Sequence, residues 1–548
     1  MGVRIGHIYV IVLVLLLVVP IVLQYIFEWN VLFLINYKRY NISVYGFYLF
    51  TYIILQFVLA IFNNRLNVWK DKGDIRDAKI IKKVNLMVVG YREDPVYYRM
   101  CLESIKTAYL NIINLNKVYI IIDGDEKEDE YMVDSFLHTF SDSNSKCVCI
   151  KLNLPENSNL DEYLTVNYME KIKENDIICI IQKHDGKRCA MMTGFTIALL
   201  ENTLYNTNIG SIFCTDSDTV IKPECILEMY QYLGDTRIGA VAGNLGIYNK
   251  YDSVVSFLSS IRYWYAFNLE RAYQSFTGSV LCVSGPIGMY NLDYLEMVIK
   301  DWSNQKFLGK LCTYGDDRHL TNKILGLDKK VIYLQSAYAE TETPSSLYRF
   351  FKQQTRWSKS AFREFFWNLG NLEKHSLTMT VDLVYMLVFP YIVMGYILYI
   401  LFVGTVFELG FYITILFLIG LVKSIYGSIC GKNVENMFYF LYSFVYITTV
   451  FPAKIWAMIN INDNSWGTSS RKVLNTEISF DIIVPIVWNM VLIGGVISNI
   501  WRGIRLGVVF FEFLYIIIVC SILLLVFAIM YMYVTVKRRN KKNEIKQE

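Results

Sequence analysis

The sequence predicts an α/β domain inserted between transmembrane α-helices, two before it and four after, with amphipathic helices at the interface. Three observations lead there. Hydrophobic residues make up 54% of the 548 and charged residues only 19%, below the roughly 25% of soluble domains. The apolar residues gather into long runs near both ends. Between those ends, short Val/Ile-rich runs alternate with helix-like segments, as in a mostly parallel sheet. The net charge of +4, from 53 basic and 49 acidic side chains, is too small to suggest a nucleic-acid partner. Eleven scattered cysteines without a C-x-x-C point to free thiols in a reducing compartment. Five histidines without H-E-x-x-H disfavour zinc.

The first apolar run covers 7–27, and about 20 residues suffice to cross a bilayer. Bulky Tyr25, Phe27 and Trp29 close it, unlike the small residues of a cleavage site, so it reads as a retained helix. A second run covers 44–62. The basic stretch after it marks the cytoplasmic side. Residues 1–65 therefore form two membrane helices, and 66–345 form a cytoplasmic domain. VNLMVVG, KVYIIID, DIICIIQ and GSIFCTD read as its buried strands. Ligands of such a sheet bind at the carboxyl ends of its strands. Residues 346–376 read as an amphipathic interface helix. Apolar density returns near 377–403, 409–429, 436–459, 481–499 and 507–535. Five crossings would put the basic KRRNKK outside. The third run, with Pro452, Lys454 and Trp456, is therefore assigned to the interface. This gives two helices in 377–435, an interface or re-entrant segment with a loop in 436–480, two helices in 481–535, and a cytoplasmic tail, 536–548.

The motifs fall at the strand ends. Asp216 and Asp218 form a D-x-D that can share Mg²⁺ or Mn²⁺ and hold a metal–diphosphate. D-x-D is common by chance, and a solvated turn is the bland alternative. Asp123 ends another strand and could accept hydrogen bonds from a base or ribose. Gly90 to Pro95 follows the first strand, where Gly allows close approach and Tyr91 offers a flat face. Gly186-Lys187-Arg188 could meet a diphosphate or simply be solvated. In Gly315-Asp316-Asp317, one carboxylate could serve as general base and one could cap a helix. Gln353 and Trp357 share a helix face. Trp357 could carry a sugar ring, and Arg356 could bind phosphate.

D-x-D, G-D-D and Q-x-x-R-W in this order, on an α/β domain between membrane helices, resemble the processive family-2 glycosyltransferases. GYREDP, IDGDE, GKR, DSDT, SGPIGMY, CTYGDDRHLTN, QQTRWSKS and WGTSSRK narrow this to the hyaluronan synthases of animals and of an algal virus. The likeness covers almost the whole chain. It implies a GT-A-like domain facing the cytoplasm and a plasma-membrane enzyme with both termini cytoplasmic. It also implies alternating use of UDP-GlcNAc and UDP-glucuronic acid, and export of nascent hyaluronan through the chain's own channel, for which a monomer suffices.

The resemblance also assigns residues. Asp216 and Asp218 would hold Mn²⁺ or Mg²⁺ on the UDP diphosphate. Tyr91, Glu93, Asp123 and Lys187 would bind the nucleotide. Asp317 would be the general base and Arg356 would neutralise the leaving diphosphate. Gln353 and Trp357 belong to the acceptor side, with Cys312 beside it, and Trp466 opens a gating loop, WGTSSRK.

Three departures stand out. His184-Asp185 replaces a Trp-Gly pair common in animal members, Ile287 replaces a Leu, and Ser470 stands where Gly is usual. The nearest alternative is a chitin synthase using UDP-GlcNAc alone, which shares D-x-D and Q-x-x-R-W. Transfer to a lipid carrier and a transporter with an inactive domain fit less well. The helices after Q-x-x-R-W oppose the first, and the intact acids Asp216, Asp218 and Asp317 oppose the second.

Overall fold

The computed structural model describes residues 44–66, 69, 82–112, 114–141, 146–153, 159–370, 372–464, 480–507 and 510–544. The expected first helix, 7–27, and the expected gating loop with Trp466 lie outside these residues.

In chain order the strands are β1 (Lys83–Gly90), β2 (Leu115–Asp123), β3 (Cys147–Lys151), β4 (Ile177–Gln182), β5 (Ile209–Asp216), β6 (Val220–Ile221), β7 (Ile238–Ile247), β8 (Gly288–Asn291), β9 (Lys306–Phe307), β10 (Lys310–Leu311) and β11 (Lys330–Thr341). The four apolar runs singled out in the sequence are β1, β2, β4 and β5. Nine strands form one sheet in the order β3-β4-β2-β1-β5-β8-β7-β11-β6. β1 lies parallel to both neighbours, with Val88 opposite Ile120 of β2 and Thr215 of β5. These strands are buried along almost their whole length, which is why they read as continuous apolar runs rather than alternating ones.

The sheet is mixed rather than simply parallel. β8 runs antiparallel between β5 and β7. Its chain arrives from Ser284-Gly285-Pro286, which lies at the carboxyl edge with the cavity described below. A strand entering from that edge must run downward, so it opposes its neighbours.

Local chemistry sets the helix starts. The side chain of Asp94 accepts from the Val96 N–H at 2.9 Å, and Pro95 opens the helix Pro95–Asn111, a capped start with a pre-set φ. Ser346 caps Leu347–Asn368 and Ser376 caps Leu377–Phe402. Thr405 and Glu408 form a reciprocal capping box on Val406–Gly431. The helix Lys187–Tyr205 packs across β1, β2 and β5.

The second apolar run forms the helix Val44–Leu66. Five described segments are long and apolar enough to cross a membrane: Leu377–Phe402, Val406–Gly431, Val434–Ile459, Ile483–Arg505 and Leu514–Lys541. The third differs in kind. It is a 3₁₀ stretch (Val434–Leu441), a short α turn (Tyr442–Val445), a π turn (Tyr446–Val450) and a short helix (Phe451–Ile459). The helix Leu347–Asn368 buries residues around much of its circumference, including Phe351, Gln353, Arg363 and Glu364. It packs against Phe451–Ile459 and against Asp316–Leu325.

Candidate active site

A cavity of about 700 Å³ opens at the carboxyl ends of β1, β2, β4 and β5. Each strand hands over a polar residue as its backbone ladder ends. After β1 come Tyr91 and Glu93, β2 ends on Asp123, and β4 leads to His184 and Lys187. β5 ends on Asp216, with Asp218 two residues on. The turn holding the D-x-D is packed tightly. A Cβ on Gly90 would lie 2.7 Å from that of Ser217, so only glycine fits beneath it.

Acids crowd this turn. Burial first, and then Glu93, Asp216 and Glu342, raise the Asp218 carboxyl well above its usual range. Thr341 Oγ1 donates to Asp218 Oδ1 at 3.1 Å, and Ser217 Oγ donates to Glu93 at 3.3 Å. Lys187 Nζ lies 2.5 Å from Asp216 Oδ1 and 3.8 Å from Asp316 Oδ2. Burial lowers the Lys187 ammonium, but the charges of Asp216 and Asp316 outweigh it and hold its pKa above the ordinary value.

Among the described residues, no three His, Cys, Asp or Glu side chains already converge as a metal cage. The donor set nevertheless fits a hard divalent ion. It offers only oxygens, and its excess negative charge keeps Asp218 hard to ionise. Mg²⁺ and Mn²⁺ need just one or two carboxylates when phosphate oxygens complete the shell.

Asp317 lines the same cavity. Gly315, at φ +81°, turns the chain into the helix Asp316–Leu325, so neither aspartate is the cap. Both sit in its first turn, where the helix dipole favours negative charge. The Arg318 N–H donates to Asp317 Oδ1 at 2.7 Å, and Cys282 Sγ donates to Oδ2 at 3.4 Å. Burial, with Asp317 adding to it, pushes the Cys282 thiol up to about 12. Cys282 therefore stays protonated and able to donate.

Gln353, Arg356 and Trp357 reach the same cavity from one helix. The Trp357 ring is 38% exposed and meets Tyr263 edge-on at 6.0 Å, leaving a face for a flat ligand. The helix is tied to the helix that carries Asp317 through a buried network. Glu364 takes hydrogen bonds from His319 Nδ1 (2.8 Å), Asn322 (2.7 Å) and Gln305 (3.0 Å).

Tyr91, Glu93, Asp123, Lys187, Asp216, Asp218, Asp317, Gln353, Arg356 and Trp357 all line this one cavity. Cys312 does not. It is buried, and its neighbours Thr313 and Tyr314 form the wall. The sequence reading missed Cys282, Glu342 and the wall formed by Arg262, Tyr263, Glu270 and Arg271. None of them falls in the strings singled out in the sequence, and they come from the helix Val254–Tyr265, the π turn Ala266–Arg271, an irregular segment and the residue after β11. His184 was visible only as a departure from the family pattern.

The α/β domain thus carries a polar cavity at the carboxyl ends of its strands, and the same chain carries helices long and apolar enough to cross a membrane. The chain is 37% identical to hyaluronan synthase 2 of Homo sapiens over 472 residues, which are 84% of this chain and 82% of that one. It is equally 37% identical to hyaluronan synthase 3 of Xenopus laevis, over 84% of this chain and 81% of that one. The chain belongs to the hyaluronan synthase family. A chitin synthase family model also matches, over residues 161–479. Among solved structures, a mannosyltransferase of Pyrobaculum calidifontis, in complex with GDP-Man and Mn²⁺, is similar at a TM-score of 0.42. Its identity is 13%, over 77% of this chain and 96% of that one.

Proposed function

We propose that this chain polymerises hyaluronan, adding GlcNAc and glucuronic acid in turn from UDP-GlcNAc and UDP-glucuronic acid. Membership of the hyaluronan synthase family supports this. The observation that carries the chemistry is the meeting of Asp216, Asp218, Asp317 and Trp357 around one cavity.

The mechanism is a single displacement. Trp357 supports the acceptor sugar, and Asp317 takes the proton of its hydroxyl as that oxygen attacks the anomeric carbon. General-base help of this kind is worth about 10²–10⁴-fold. One displacement inverts configuration, so an α-linked donor yields a β linkage. Lys187 and Arg356 line the same cavity and would face the charge that develops on the departing UDP, where prepositioned cations stabilise a transition state most effectively. Asp216 and Asp218 would hold Mn²⁺ or Mg²⁺, which supplies neutralisation of the diphosphate.

The chain is a membrane protein. In this reading it sits in the plasma membrane, with residues 66–345 and the 536–548 tail cytoplasmic. The 44–66 helix and four of the five later segments cross, and the polymer leaves between them. The third segment lies at the interface. Its broken helix supports this, as do the bonds tying its end to the catalytic domain. Lys359 Nζ contacts Asp463 at 2.7 Å, and Tyr314 Oη donates to the Asp463 carbonyl at 2.7 Å.

Membranes carrying the chain, given Mn²⁺ and labelled UDP-GlcNAc with or without UDP-glucuronic acid, test the reading. Large product that needs both donors, disappears with EDTA and is cut by hyaluronidase is the expected result. Product from UDP-GlcNAc alone, resistant to hyaluronidase and cut by chitinase, would instead make the chain a chitin synthase.

A further inference from the structure

The turn that follows β7 grips the D-x-D from two sides. Tyr248 Oη donates to the Asp218 carbonyl at 3.1 Å. The Tyr248 N–H donates to the Thr341 carbonyl at 3.3 Å, and Thr341 Oγ1 donates in turn to Asp218 Oδ1 at 3.1 Å. The Tyr248 ring packs on Tyr97, with centroids 5.1 Å apart. One tyrosine therefore restrains the backbone of Asp218 directly and its carboxylate through Thr341.

The same turn is held from the other end of the chain. Lys541, near the end of the last helix, Phe510–Glu544, donates from Nζ to the Tyr248 carbonyl at 3.0 Å. Two turns earlier on that helix, about 12 Å along its axis, Tyr533 Oη donates to Glu435 Oε1 at 2.9 Å. Glu435 is buried in the first turn of the third apolar segment. It also takes Lys250 Nζ on Oε2 at 2.9 Å and Tyr251 Oη on Oε1 at 2.6 Å. Lys250 and Tyr251 stand just after Tyr248 in the same turn. A lysine at the end of a membrane helix ordinarily keeps its head in water. This one is spent on a backbone carbonyl next to the acids of the cavity.

Those acids repel one another, and burial beside Glu93, Asp216 and Glu342 already makes Asp218 hard to ionise. A turn under such strain needs bracing if its oxygens are to stand in place before a cation arrives. We propose that the last helix positions the divalent-ion site: Lys541 directly, and Tyr533 through Glu435, brace the turn so that Tyr248 keeps Asp218 ordered for Mn²⁺ or Mg²⁺. This rests on the reading of Asp216 and Asp218 as the pair that holds the ion. Tyr248, Glu435, Tyr533 and Lys541 are then positioning residues, and ordering the pair in advance lowers the cost of binding. A shift of the last helix in the bilayer is felt as a change in metal affinity.

The test is Mn²⁺ binding to the purified full chain at saturating UDP, read from the electron spin resonance of free Mn²⁺. Tyr248→Phe keeps the ring and loses the hydroxyl. Lys541→Met keeps an unbranched stem and loses the donor. Each should raise the Mn²⁺ concentration at half-saturation about three- to tenfold, the worth of one hydrogen bond. Calorimetric UDP affinity at saturating Mn²⁺ should stay at the wild-type value. Wild-type Mn²⁺ affinity in Lys541→Met would overturn the role of the last helix, and the same result in Tyr248→Phe would overturn the brace itself. A loss of UDP affinity that excess Mn²⁺ does not repair would also overturn the proposal, since it marks a damaged fold rather than a misplaced ion site. A wild-type chain whose UDP binding ignores Mn²⁺ would overturn the metal reading beneath it.

Discussion

Asp317 accepts hydrogen bonds from the Arg318 amide and the Cys282 thiol. Asp317→Asn keeps the size and removes the base. Polymer synthesis should fall by about 10²–10⁴-fold, while UDP binding measured calorimetrically stays near wild type. An equal loss in both would show that Asp317 serves binding. Lys187 has a different task. It neutralises Asp216 and Asp316 across the cavity, so its removal should be felt first by the nucleotide. For Lys187→Ala, weaker UDP binding is expected at every acceptor concentration. These roles were legible as residue types in motifs. The partners that tune them were not, because Cys282 and Glu342 come from segments far away in the chain.

At the scale of elements, the Asp317 helix and the Gln353 helix must keep their relative position for base and acceptor platform to meet. Glu364 is the pin, buried and bonded to His319, Asn322 and Gln305. Glu364→Ala strands three buried partners and should cost about 1–3 kcal/mol, since unmade buried hydrogen bonds are expensive. Thermal melting in detergent would measure it. The turnover number should drop more than UDP affinity. A second junction lies where the helix Leu347–Asn368 gives way to Leu377–Phe402. Burial, aided by Lys374 and Lys330, lowers His375 from 6.5 to about 4. Its Nε2 donates to Asn368 Oδ1, 2.7 Å away. The fold thus holds the neutral ring, and the unfolded chain binds the extra proton. This contribution is complete above about pH 6.5 and is lost as pH falls toward 4. Melting temperatures across that window should fall in the wild type and fall less in His375→Gln.

On the scale of the whole molecule, the catalytic region is fastened to residues 461–464, just past the third apolar segment. Arg363 donates to the Ile461 carbonyl at 2.9 Å, Thr313 Oγ1 donates to that of Asn464 at 2.8 Å, and Lys359 pairs with Asp463. These bonds set the cavity against the helices that would carry the polymer. Lys359 is almost fully buried, so Asp463→Asn leaves its charge poorly paired. Chain elongation should slow about tenfold or more, as small misplacements at reacting centres do, while UDP binding holds. Elongation at the wild-type rate would mean the contact is incidental.

The amino-acid sequence by itself determined the α/β domain, four of its strands, the order of long apolar helices and the acidic and aromatic motifs. These depend on local composition and on neighbours a few residues apart. β7, β8 and β11 were hidden: glycine and alanine interrupt the first, and the second is four residues long. Only the tertiary structure decided that β8 runs antiparallel, that Cys312 stands off the wall and that Asp123 meets His184 at 2.8 Å. It also decided that Glu364 joins two helices. Each of these depends on groups tens to hundreds of residues apart competing for the same hydrogen bonds and the same buried space, and one-dimensional patterns do not record which of them wins.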